Sequence, residues 1–205
     1  MNSGYEQIYA SLLPRLAKRN LAENAPRLGA EMTKDGARIS FLTREYLITN
    51  DGAVPADGKP VSINYRSLLV YYILSDGSGD VSNDFATLNR LTRVVEGQNT
   101  LSGDTVPLLM RVFGGDYAKF NAAITRLGGE EQPSPGSGKH VWHLRPLPKI
   151  LMQFVQYEAD DEFPADFQIF FDRTAPKFLD LECLGILTSC TVKSLAEAAG
   201  QENSL

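Results

Sequence analysis

The chain has 205 residues, of which 43% are hydrophobic and 22% charged, with a net charge of −5 and a pI near 5.1. That length supports one sizeable core, and the acidic balance, with basic residues scattered among acids, argues against nucleic-acid binding. The longest apolar run, residues 68–74, is too short to span a bilayer, and residues 1–20 lack the basic and apolar regions of a secretory signal. The expectation is a single cytoplasmic domain over residues 1–205, with 201–205 a frayed tail.

Residues 4–28 read as helix with breaks: Ile8, Leu12 and Leu16 form an apolar stripe, Pro14 should kink or restart it, and Gly29 closes it. Residues 37–42 and 45–49 alternate apolar and polar, which predicts a hairpin with Thr43-Arg44 as its turn. Residues 64–75 return to helix and are apolar nearly all round, the pattern of a buried helix. A loop follows at 76–84, and residues 88–102 carry no readable period. Helices are expected at 106–113 and 117–127, separated by Gly114-Gly115, with Asp116 capping the second and Gly128-Gly129 ending it. Residues 132–138 have the Pro, Gly and Ser content of an exposed loop, and 140–144 read as a strand.

The most strongly patterned stretch is 147–187. Residues 149–157 and 167–171 are rich in Ile, Phe, Val and Tyr, which predicts a long antiparallel hairpin with EADDEFPAD at its end and a helix from about residue 181. About five strands in two hairpin groups, with helices before, between and after, indicate an α+β fold on an antiparallel sheet. Cys183 and Cys190 are seven apart on that last helix, too far for a bridge within it, and read as small apolar residues of one face.

Chemistry-bearing motifs are few. Glu158, Asp160, Asp161 and Glu162 crowd into the hairpin end, and Asp166 and Asp172 follow. Gathered carboxylates suit hard cations or acid–base work, but neighbours in an extended chain point to opposite sides. A solvated turn, a partner or ligand contact and a metal site all remain open readings. His140 and His143 fall on opposite faces of a strand, and Trp142 between them reads as a core anchor. Asp76, Ser78 and Asp80 imitate a calcium loop, but Val81 replaces the glycine and Thr87 the final acid. Residues 136–139 imitate a phosphate loop without its first glycine or its hydroxyl.

Taken together, FLTREYLITNDG (41–52), the tyrosine-rich helix at 66–74, FGGDYAKFNAAITRLGG (113–129) and LPK…YEADDEFPADFQIFFDRTA (147–175) resemble the domain of unknown function 3786 family over residues 5–195. The resemblance implies an origin mainly among anaerobic bacteria and archaea. Some relatives join the domain to cysteine-rich iron–sulfur segments, which implies redox or corrinoid-linked anaerobic metabolism; only two cysteines stand in this chain. The family's most distinctive block maps to Glu158, Asp160, Asp161, Glu162, Phe163, Pro164 and Asp172, and no catalytic residue comes with it.

The leading expectation is a non-catalytic binding or accessory protein. Its ligand or partner residues are Glu158, Asp160, Asp161, Glu162 and Asp172, with no catalytic residue, metal ligand or cofactor assigned. The partner is a protein or a small ligand, not nucleic acid or membrane. One rival is an enzyme using the carboxylates with a divalent cation and His140 or His143 as proton carrier. Another is an oligomerisation unit using the apolar helix at 181–195.

Overall fold

The computed structural model describes residues 4–91, 104–134 and 136–200. Helix α1 (Gly4–Ala17) runs on past Pro14, and the break falls before α2 (Leu21–Arg27). A four-stranded antiparallel meander follows: β1 (Glu31–Thr33), β2 (Gly36–Phe41), β3 (Arg44–Thr49) and β4 (Gly52–Pro55). The expected β2–β3 hairpin is its centre, but Phe41 pairs with Arg44, so Leu42-Thr43 makes the turn. Leu42 takes a left-handed φ of 53°, as such two-residue hairpin turns demand. The short edge strands β1 and β4 gave no readable period in the sequence.

Helix α3 (Ile63–Ile73) starts at Ser62, whose side chain accepts from the Asn64 amide. As its composition predicts, it is buried on nearly every side, with Leu68, Leu69, Val70, Tyr72 and Ile73 inaccessible to solvent. Strand β5 (Phe85–Ala86) and the single turn α4 (Leu88–Leu91) follow. The rest of the stretch read as irregular, residues 92–102, lies outside the described residues, as does the tail at 201–205.

Helices α5 (Thr105–Phe113) and α6 (Tyr117–Arg126) flank Gly114-Gly115, and the Asp116 carboxylate caps α6 by accepting from the Lys119 amide at 2.9 Å. The second sheet comprises β6 (Glu130–Gln132), β7 (Lys139–Leu147), β8 (Ile150–Tyr157) and β9 (Asp166–Asp172), with order β5-β9-β8-β7-β6 and every pair antiparallel. A short 3-10 turn at Ala175–Lys177 leads to α7 (Leu181–Ala198). The expected α+β class therefore holds, but the strands of the described residues number nine and divide between two sheets. The difference comes from strands of two to four residues, too short to show a period of two.

The two sheets share one core cluster. On the inner face of the five-stranded sheet, Trp142, Phe154 and Ile169 lie in register across three strands. Phe120 of α6 packs on them, 4.9 Å from the Trp142 ring at 75°, an edge-on contact worth about 1 kcal/mol beyond its burial. Helix α7 buries ten of its residues, including Thr188 and Thr191. Their hydroxyls donate to the carbonyls of Leu184 and Leu187 one turn back, so the apolar interior holds them without loss.

Tyr72 joins the layers. Its fully buried hydroxyl donates to the Leu28 carbonyl at 2.7 Å and accepts from the Lys149 amide at 3.0 Å. Replacing it with Phe strands one buried carbonyl and one amide. Tyr72→Phe is expected to lower unfolding free energy by about 2 kcal/mol, read in urea as an earlier midpoint with an unchanged slope.

Candidate functional site

The acidic end of the β8–β9 hairpin is built by its own backbone. Asp160 Oδ1 accepts from the amides of Glu162 at 2.9 Å and Phe163 at 2.7 Å, while the Asp160 amide donates to the Phe163 carbonyl at 2.9 Å. Those two amides hold the Asp160 carboxyl below its ordinary value. Asp161 and Glu162 stand exposed on the loop so formed. Phe163 is 66% accessible, the most exposed large apolar side chain among the described residues. Beside the loop lies an open groove of about 900 Å³ walled by Gly138, Lys139, Tyr157, Glu158, Asp160 and Phe163.

Glu158 faces a different neighbour. Its Oε1 lies 2.8 Å from His140 Nε2, and the other ring nitrogen of His140 is 3.7 Å from Glu131 Oε1. Tyr117 donates its hydroxyl to Glu131 Oε2 at 2.9 Å, and that carboxylate pushes the phenol's pKa up. The ring of Tyr117 also lies 4.3 Å from that of His140. A chain of four titratable side chains thus runs from α6 across β6 and β7 to the end of β8. Beneath it Gln156, paired with His140 and Phe167, is fully buried, and neither of its amide atoms has a partner among the described residues.

His143 is on the other face, as the spacing requires, 3.2 Å from Gln153 Oε1 and stacked against Phe85. The two histidines share nothing. Nor do the acids converge: among the described residues no three His, Cys, Asp or Glu side chains are grouped to hold a metal ion. Both cysteines are buried and free, and burial pushes the Cys190 thiol up to about 12 and Cys183 higher still. They serve as the small apolar residues the sequence indicated.

Asp172 stands apart from the hairpin end, at the far end of β9 and roughly 20 Å away along the strand. It is inaccessible to solvent, yet four donors reach its carboxylate. Oδ1 accepts from the Ser82 hydroxyl at 3.1 Å, the Thr174 amide at 2.9 Å and the Thr174 hydroxyl at 2.6 Å. Oδ2 accepts from the Asn83 amide at 2.6 Å, and Asn83 takes a left-handed φ of 58° to offer it. Burial alone would raise the Asp172 pKa, but these bonds outweigh it and hold the value below normal. Asp172 therefore ties the loop before β5 to the turn after β9.

With this geometry in place the comparison with known families is informative. The family described as a domain of unknown function (DUF3786) matches residues 20–194. The chain belongs to that family. No curated protein and no solved structure matches it. Within the family block, the fold separates two kinds of residue: Glu158, Asp160, Asp161 and Glu162 form or neighbour the open hairpin end, whereas Asp172 is a buried anchor. The sequence groups the five as acids near the two ends of one hairpin and within the block that carries the family resemblance. It passed over Glu131, Tyr117 and Gln156, which no motif marks: strand register brings Glu131 and Gln156 beside His140 and Glu158, and the start of helix α6 brings Tyr117.

The depressed Asp172 value sets a pH dependence. A carboxylate whose folded pKa lies below its unfolded one stabilises the fold above the unfolded value and loses that contribution as pH falls through the folded value. In Asp172→Asn an amide group meets the Asn83 N–H or the Thr174 donors. The variant is expected to be about 2 kcal/mol less stable near neutrality, and the gap to wild type to close below about pH 4. Urea unfolding across pH measures both.

Proposed function

We propose that this DUF3786 protein is a non-catalytic binding or accessory protein whose hairpin end at residues 158–166 receives a protein partner. The observation that supports it most directly is the exposed Phe163, 66% accessible, on a loop that Asp160 fixes from within. An aromatic ring already ordered loses little freedom on docking, so its burial adds to affinity. Asp161 and Glu162 beside it, on a chain of net charge −5, favour a partner with a basic rim. The proposal includes a cytoplasmic location and, as the family resemblance implies, an origin among anaerobes; no helix among the described residues is long and apolar enough to cross a membrane.

The enzyme reading draws on one contact, His140 with Glu158, which places a possible proton carrier beside one acid of the groove. Of the other acids, Asp160 lines the same groove but gives its Oδ1 to two amides of its own loop, and Asp172 lies at the far end of β9. The oligomerisation reading draws less support, because ten residues of α7 are buried in the chain's own core.

Pull-downs from an anaerobic host lysate with the full chain compare wild type, Phe163→Ser and the double variant Asp161→Asn/Glu162→Gln. A protein retained by wild type, lost with Phe163→Ser and weakened by the double variant and by salt, is the expected outcome. All three side chains are exposed, so thermal unfolding should be unchanged. An identical set of proteins captured by all three baits counts against the reading.

A further inference from the structure

A second cavity lies where four separated segments meet. Its volume is about 630 Å³, within the range of small-molecule pockets. The β2–β3 turn supplies Phe41, Leu42 and Arg44; the approach to α3 supplies Val61 and Ser62; the end of α6 supplies Arg126; and α7 supplies Lys193 and Ser194. Two properties of this wall go together. One part is apolar and rigid, with Phe41 and Tyr65 in edge-on contact at 5.2 Å. The other is cationic.

Three cations and one acid, Glu197, line the cavity. Arg44 spends one nitrogen on Asp57 and the Lys59 carbonyl, but its Nε is buried with no hydrogen-bond partner. Arg126 covers the Ala198 carbonyl at 2.6 Å, which offsets the negative end of α7. Lys193 enters no ion pair among the described residues. The amino end of the eleven-residue α3 opens at Ser62 and Asn64 on the same wall and adds its positive dipole end. Tyr65 is fixed there by its hydroxyl, 3.1 Å from the Cys190 carbonyl and 3.2 Å from Ser194 Oγ.

We propose that this cavity binds a small organic anion, its acidic head on Lys193 and the amino end of α3 and its apolar body against Phe41, Leu42 and Val61. A carboxylate or a phosphate ester supplies the same head chemistry, whereas a cation meets a lining with three basic side chains against one acid, and a fully apolar molecule leaves Lys193 desolvated. The site shares no residue with the hairpin end, so it stands whether or not a protein docks there.

Phenyl phosphate and benzoate, with benzyl alcohol as the neutral counterpart, test this by titration into the ¹⁵N-labelled full chain. Saturable shifts at residues 62–65 and 189–198 with at least one of the anions, and weaker ones with the alcohol, are expected. Lys193→Met should weaken the anion about tenfold, Lys193→Arg should retain it, and the exposed Lys34→Met should leave it unchanged. Asp161→Asn/Glu162→Gln should also leave it unchanged, which separates this site from the partner surface. Absence of saturable shifts with both anions, equal affinity for benzyl alcohol, or binding indifferent to Lys193→Met overturns the proposal.

Discussion

The hydroxyl of Tyr72 pins the buried helix α3 at once to the end of α2 and to the turn that opens β8. A buried hydroxyl must find partners, and here it takes the carbonyl at the end of α2 and the amide at the start of β8. Helix α3, apolar on every side, is thereby held in rotation as well as in depth. That fixes where its amino end points, and with it one wall of the cationic cavity. A second link, from the Leu42 amide to the Pro146 carbonyl at 2.9 Å, brings the meander's central turn against β7. Two sheets that pair no strands thus behave as parts of one core.

Within this frame the polar residues divide by how they are satisfied. The hydroxyls of α7 bond back to their own helix, and Asp172 gathers donors from two loops. These groups are spent. The hairpin end is different: Asp160 uses its carboxylate to shape the loop, which leaves Asp161, Glu162 and Phe163 free to face outward. Exposed groups on a loop tied in this way have little structural reason to be there, and this contrast supports the proposal that the tip is a recognition surface.

Much of the architecture was legible because it repeats with a period. Residues 149–157 and 167–171 announce a hairpin through aromatic and β-branched content, and residues 64–75 announce a buried helix by being apolar nearly all round. Asp116 was legible as a cap because two glycines precede it. Strands β5 and β6, two and three residues long, were not, since their pairing comes from neighbours distant in sequence. The break expected at Pro14 falls instead after Ala17: Pro14 stands on the exposed side of α1 and the helix runs on past it. The cationic cavity was invisible in the sequence, because Arg44, Ser62, Arg126 and Lys193 belong to no common pattern.

The buried carboxylate at residue 172 also orders events in time. The meander β1–β4 closes through contacts between near neighbours, so its loops cost little entropy to form. Ser82 and Asp172 are ninety positions apart. The bonds that hold the last part of the loop before β5, from Ser82 and Asn83, form only when β9 is in place. Its docking is therefore among the last acts of folding and, by the same route, among the first contacts to open when the native state breathes.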